Sequence, residues 1–542
     1  MKLPRAALRH IECSSPVKVG RRQPQIRAAA AQSLRPPAAF CSGGVVVTSS
    51  SAKWHNQQPS SPLLISRLPG AHRGYATTTV SAAELEFGQP VHETHPHLLK
   101  PGEITPGISA QEYDDRRAAL ALSLSAVGDV AVLAAADLKY RSGAVFFPFR
   151  QESNFLYLTG FLEPEAVAVI TKTGSELGDF SFTLFCRPKD PQAELWNGPW
   201  SGLQAAEDVF NAHESADIAK LDAVLPQLLR GAGRVYSDIE LNVNSAKGRQ
   251  QSAPAIAAAA VISHHVRGGG GSSNNTTRPL QALINNLRAI KSPAEVANMR
   301  RAGQVSGRAI TSAMRQAWTR EKDLQSFLEY EFTKHGCDGP AYVPVVAGAS
   351  RGCMIHYVHN TASLTPGTMV LVDAGGEYGS GYVSDITRTW PVNGRCSVAQ
   401  RDLYSAVLSV QRTGVSLCRA SAGMTLDQVH RVAEAGLREQ LAQLGFDLSG
   451  DAMDVLFPHH VGHYVGLDVH DVPGYSRSVA LRAGHCVTVE PGIYVPDDER
   501  WPKHFRGMAI RIEDSVCVED DSPLNLTVEA VKEVVDIEAL RD

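Results

Sequence analysis

HHVGHYVGLDVHD, running from His459 to Asp471, sets four histidines and two aspartates among glycines and valines. A solvated face would show Lys, Glu and Gln, and a core segment does not hold six such titratable groups. Either these side chains share a partner or the stretch is a tolerated oddity, and the acids around it bear on the choice. VLVDAGGEYGSGYVSDITRTW supplies Asp373 and Asp385, VTVEPGIYV supplies Glu490, and AIRIEDSV supplies Glu513. Asp373, Glu490 and Glu513 each follow an alternating β-branched run, so their side chains leave strands that are otherwise buried.

Burying one ionised carboxylate is costly, and several together repel and raise one another's pKa. For one acid alone, a cap or a salt bridge is the simpler account. Four acids beside the histidine stretch weigh against it. Two divalent ions neutralise four carboxylates, and one imidazole completes one ion's shell. Oxygen-rich shells suit hard ions such as Mn²⁺, Mg²⁺ or Ca²⁺. Two metals about 3.5–4 Å apart can share a bridging hydroxide and polarise a carbonyl, which points to metal-assisted hydrolysis.

Outward from this region, SPAEVANMRRAGQVSGRAITSAM opens a second domain. Ser292 is a helix N-cap, Pro293 stands at the first helical position and Glu295 in the first turn. This domain runs over 292–535, with a β-rich second half and no internal sequence repeat. Upstream, apolar runs such as GDVAVLAA, AVAVIT and FTLFCRP alternate with helical stretches, which reads as an α/β domain over 104–286. RGGGGSSNNTTRP, from Arg267, is a loop by composition.

A chain of 542 residues should hold more than one domain, and no apolar run approaches the roughly 18 residues that a membrane helix needs. From Met1 to Tyr75 there are eleven Lys or Arg against one acid, leaving 41 basic and 55 acidic residues in the body. An acidic body argues against general nucleic-acid binding. The leader, 1–75, is rich in Arg, Ala and Ser and lacks an apolar h-region, as mitochondrial presequences do, and 76–103 reads as an arm. Nine cysteines without a CxxC suit a reducing compartment. GAGRVYSD and Gly268–Gly271 lack the context of phosphate loops, and PHHVGH is not the HExxH of a zincin. Trp196, Trp200 and Phe210 read as core or interface residues.

HYVGLDVHD, VTVEPGIY and IRIED resemble the motifs of the pita-bread metallopeptidases, and most closely those of the aminopeptidase P family. ESNFLYLTGFLEPEAVAVI, from Glu152, is similar to the signature of that family's N-terminal domain. AIKSPAEVANMRRAG is similar to its linker into the catalytic domain. The resemblance implies a two-domain α/β (α+β) chain, a creatinase-like N-terminal domain followed by a pita-bread catalytic domain. It also implies two metal ions, Mn²⁺ above others, held by Asp373, Asp385, His463, Glu490 and Glu513, with Asp385 and Glu513 bridging. Glu490 would in addition move a proton toward the leaving nitrogen. His356 and His470 match catalytic, substrate-facing histidines, and His459 matches a further one on the substrate side. Arg511, counted with the substrate-side residues, matches an arginine that would orient an acid ligand. His460 is left as structural, Gly462 and Gly466 allow close backbone approach, and Asp468 and Asp471 read as turn residues in preference to partners of the ligands.

The implied activity is removal of one N-terminal residue from peptides or from imported mitochondrial precursors. The nearest alternative is an Xaa-Pro dipeptidase (a prolidase), and a non-catalytic pita-bread binding protein is a more distant one. The leader and the HETHPHLLKPGEITPGIS arm make the chain most similar to mitochondrial members, implying the matrix or the matrix face of the inner membrane. Related enzymes are homodimers or homotetramers. Arg73 stands two residues before the Gly74–Tyr75 bond, which resembles the cut of the mitochondrial processing peptidase. The enzyme would then trim its own Tyr75 to begin at Ala76.

Overall fold

The computed structural model describes residues 87–268 and 277–542. The leader, the window around Arg73 and the glycines after Gly268 lie outside the described residues.

In the first half, the Ser109 side chain accepts from the Glu112 amide at 3.1 Å and starts the helix Ala110–Ser123. Five strands form a mixed sheet in the spatial order Glu214–Asp217, Phe180–Cys186, Val167–Lys172, Val130–Ala134, Val235–Tyr236. The two outer pairings are parallel and the inner ones antiparallel. Strand alternation sends neighbouring residues into different cores. Val130, Val132, Val167 and Val169 pack with Leu221, Leu225 and Ile262. Ala131, Leu133, Ala168 and Ile170 join a larger cluster with Tyr113 and Phe155. That cluster continues through Tyr382, Val465 and Leu467 of the second half, so the segment around His463 is seated on the first half. Phe210 is buried edge-on against Phe161, and Trp200 stacks on Arg187, but Trp196 is 84% exposed and belongs to no core.

The second half opens with the expected cap: Ser292 and Glu295 form a capping box at the start of the helix Pro293–Met314. The helix Glu321–Lys334 follows, then the antiparallel strands Val345–Gly348, Met369–Asp373 and Thr387–Pro391. A second pair of helices, Val398–Leu417 and Leu426–Gln443, each with its own capping box, precedes a second antiparallel set. The repeat that the sequence does not display is present in the order of the elements. HCVTVEPGIYV and AIRIEDSVCV each hold two strands. Cys486–Val489 pairs with Asp514–Val518, while Gly492–Tyr494 pairs with Ala509–Arg511. Pro491 has no amide to give a ladder, so the first break falls there. The second falls at Ile512–Glu513. Both breaks flank a carboxylate of interest.

Candidate metal centre

Backbone pairing brings the acids together. Asp373 ends its strand opposite Thr387, two residues after Asp385. The Glu513 amide donates to the Thr387 carbonyl at 3.0 Å, joining the first strand set to the second. The Glu490 amide donates to Val461 and the Thr488 amide to His463, each at 2.8 Å, which lays the histidine segment along the strand that leads to Glu490. That approach needs Gly462: a Cβ there would stand 2.0 Å from the Thr488 carbonyl oxygen, and one on Gly466 2.5 Å from Asp471 Oδ2.

All five expected ligands converge on one region. Asp385, His463 and Glu513 offer ligand atoms within 4.8 Å of one another. His463 Nε2 lies 3.5 Å from Asp385 Oδ2 and 3.5 Å from Glu490 Oε1, while its Nδ1 faces the Tyr464 carbonyl at 3.0 Å. The tautomer that donates to Tyr464 leaves the Nε2 lone pair toward the acids. Asp373 reaches the group through Tyr342, whose hydroxyl sits 2.7 Å from Asp373 Oδ1 and 2.5 Å from Asp385 Oδ1. Glu513 receives only the Thr387 hydroxyl on Oε2, at 2.7 Å, and its Oε1 is buried without a partner.

The charges do not balance. Four carboxylates face one guanidinium, Arg511, and one imidazole. Burial, then Asp385, Glu490 and Asp373, push the Glu513 carboxyl well above the usual carboxylate range. Burial raises Glu490 to about 7, aided by Asp385 and Asp373 and opposed by His463 and Arg511. Burial also raises Asp373, with Arg511 opposing. Asp385 is held below the ordinary range because His463 and Tyr342 outweigh its burial. Burial alone would lower the His463 imidazole, but Asp385 and Glu490 lift it to about 9. An orphaned, buried Glu513 oxygen in a carboxylate-rich, partly imidazole donor set fits divalent cations.

The other expected residues are distributed around this centre. The His470 ring stands edge-on to His463 with centroids 4.4 Å apart, and the residue is exposed. His356 is exposed as well. His459 is tied to protein at both ring nitrogens, Nδ1 to the His460 carbonyl at 2.9 Å and Nε2 to the Tyr494 hydroxyl at 2.8 Å. Arg511 is 2% exposed. Its three nitrogens meet Thr387, Tyr494 and Asp373, so it faces an acid of the cluster and not open solvent. His460 stacks on His430 at 4.5 Å. The reading of Asp468 and Asp471 as turn residues is corrected. Asp471 is buried between Arg288 at 2.5 Å and Lys291 at 2.7 Å, and Asp468 takes Arg288 and the Ser153 hydroxyl. Together they fasten the loop that carries His470 to residues outside the catalytic strands.

Tyr342 and Tyr494 escaped the sequence reading. Neither stands in an acid- or histidine-rich stretch, and their partners lie 17–43 residues away along the chain. Tyr494, four residues after Glu490 in VTVEPGIYV, was the one with a local signal.

Residues 297–520 match the model of metallopeptidase family M24, and residues 113–236 match the aminopeptidase P N-terminal domain. Intermediate cleaving peptidase 55 of Saccharomyces cerevisiae is 43% identical over 86% of this chain and 91% of its own. Xaa-Pro aminopeptidase 3 of Mus musculus is 39% identical over 84% of this chain and 90% of its own. The crystal structure of the yeast intermediate cleaving peptidase lacking its N-terminal 58 residues superposes with a TM-score of 0.74 at 40% identity. It covers 81% of this chain and 99% of that one.

Proposed function

The chain belongs to metallopeptidase family M24, with the aminopeptidase P N-terminal domain, and from that premise we propose that it removes single residues from the N-termini of imported mitochondrial precursors. It is a metalloaminopeptidase of the pita-bread fold and works with divalent metal ions. The observation that carries the reading is the cation deficit: four clustered carboxylates share one guanidinium and one imidazole, with Glu513 Oε1 left bare.

We assign two ions, Mn²⁺ in the native state, to Asp373, Asp385, His463, Glu490 and Glu513. When bound, such ions polarise the scissile carbonyl and lower the pKa of water. The chain's own groups do the rest. Arg511 and Tyr342 fix the Asp373 and Asp385 oxygens, and Tyr464 fixes the His463 ring. His470, edge-on to His463, is assigned to donate to charge developing on the carbonyl oxygen, and His356 to the substrate side. Glu490 is the group that moves a proton toward the leaving nitrogen, and His459 Nδ1 stands 3.8 Å from its Oε2. The domain limits 104–286 and 292–535, a homodimeric or homotetrameric assembly and a matrix-side location complete the proposal. So does self-trimming from Tyr75 to Ala76.

The relatives named above divide between Xaa-Pro aminopeptidases and intermediate cleaving peptidases, so residue two of the substrate is the discriminating variable. Purified enzyme is offered tripeptides that differ only there, Pro against Ser or Ala, and a Xaa-Pro dipeptide. Comparable cleavage of Ser, Ala and Pro peptides, with the dipeptide spared, fits a precursor-trimming aminopeptidase. Strict dependence on Pro, or cleavage confined to the dipeptide, overturns it.

A further inference from the structure

Cys486 and Cys517 are register partners on the antiparallel strands that lead to Glu490 and away from Glu513. The Val518 amide donates to the His485 carbonyl at 2.8 Å, and the Cys486 carbonyl turns away from the Cys517 strand to accept from the Val465 amide at 3.0 Å. Cys486 and Cys517 are therefore a non-hydrogen-bonded pair, the arrangement that holds opposing Cα atoms about 4.5 Å apart and brings side chains closest. That separation is within the range of about 4.4–6.8 Å that a disulfide spans. The neighbouring sulfur, with burial, pushes the Cys486 thiol up, while Cys486 draws the Cys517 thiol down, and Cys517 Sγ donates to the Val518 carbonyl at 3.7 Å. Neither is disulfide-bonded.

Alternation places three successive pairs on the same face of these strands. Cys486 with Cys517 is the first and Thr488 with Ser515 the second. The same register, continued, makes Glu490 with Glu513 the third. The middle pair holds the site: Thr488 Oγ1 accepts from the His463 amide at 3.0 Å and lies 3.4 Å from Glu490 Oε1. Ser515 Oγ is bonded to both the amide and the carbonyl of Asp385. Cys517 also lines a surface depression of about 650 Å³ with Lys291 and Gly484, a route for a small oxidant.

We propose that Cys486 and Cys517 form a reversible disulfide that switches off the metal centre, with a hydroperoxide as oxidant. The Cys517 sulfur attacks a peroxide oxygen, the O–O bond breaks, and the alcohol or water leaves as Cys517 becomes a sulfenic acid. The Cys486 sulfur then attacks Cys517, an S–S bond forms and water departs. Two thiols have lost two electrons and two protons, and the hydroperoxide has gained them. Drawing the thiol pair into a covalent bond displaces the hydroxyl pair and, through it, His463, Glu490 and Asp385.

The test treats metal-loaded enzyme with hydrogen peroxide, blocks free thiols, maps peptides by mass and measures bound metal alongside tripeptide turnover. The expected result is a Cys486–Cys517 crosslink about 2 Da lighter than the thiols, loss of metal, a turnover drop of at least about tenfold, and recovery with dithiothreitol. Cys486→Ala and Cys517→Ala keep unoxidised turnover within about twofold and resist peroxide. Both cysteines staying alkylatable overturns the proposal. A crosslink with metal and turnover unchanged does so too, as does equal inactivation of Cys486→Ala. Reduced enzyme that cleaves no peptide would count against the aminopeptidase reading, while the crosslink and metal measurements would still judge this one.

Discussion

Glu513 and Asp514 are consecutive, equally buried and oppositely treated. Asp514 receives Arg388 at 2.7 Å, Lys532 at 2.5 Å, Gln411 at 2.8 Å and Thr527 at 3.0 Å. Burial opposes its charge, but Arg388 and Lys532 prevail and hold it far below the usual range. Glu513, turned to the other side, has one hydroxyl and an orphan oxygen, and its carboxyl is pushed far up. Burial of an acid is therefore no sign of function by itself. The sign is a buried acid whose neighbours decline to neutralise it.

Exchanging the two residues' fates is the strongest way to break this comparison. Glu513→Ala or Asp385→Ala should lower turnover by more than about 10³-fold, beyond the loss of a single donor, with metal content falling in parallel. For Glu513→Ala the metal-free fold should not lose melting temperature, since that carboxyl has an oxygen without a partner, whereas Asp385→Ala also takes away the partner of His463 and Tyr342. Full activity with unchanged metal would end the ligand assignment. Asp514→Ala should do the reverse. Stripping one partner from a buried cluster costs about 3–5 kcal/mol, read in urea unfolding, while turnover of the surviving folded enzyme stays within about tenfold.

His470→Ala should reduce turnover by about 10²–10³-fold and leave bound metal, measured by atomic absorption, as in wild type. Metal loss there would make His470 a ligand and count against His463. The smallest effect concerns pH. Glu490 in the metal-free protein titrates at about 7, above its unfolded value, so its contribution is fully present below the unfolded pKa and lost as pH rises through about 7. Asp514 has the opposite sign: its contribution is present above its unfolded pKa, near 4, and lost as pH falls below it. The melting-temperature gain on adding metal should thus widen from about pH 5 to about pH 8. A gain independent of pH would show that Glu490 is not destabilised without a cation.

The sequence made one side of this contrast readable. Acids interrupting β-branched runs identified Asp373, Glu490 and Glu513, because alternation is local and a charge out of pattern is visible within a few residues. It could not expose the other side. Arg388 sits among the apolar and hydroxyl residues of TRTW, and its acid partner lies 126 residues on. Tyr342 and the Arg288–Lys291–Asp471 cluster were hidden for the same reason: they exist only after distant segments meet. The splits at Pro491 and Ile512 were half visible. Proline announces one, whereas the other depends on which sheet the strand joins.

The Arg288–Lys291–Asp471 cluster has a practical bearing on how this enzyme can be cut. A fragment that begins at Ser292 looks natural, since the capping box and the long helix start there. It would discard both cations that meet Asp471 and leave that carboxylate without them, next to His470. The catalytic half is thus on loan from its linker: whoever trims the gene to a minimal protease must start upstream of Arg288, or replace Asp471 with a residue that needs no company.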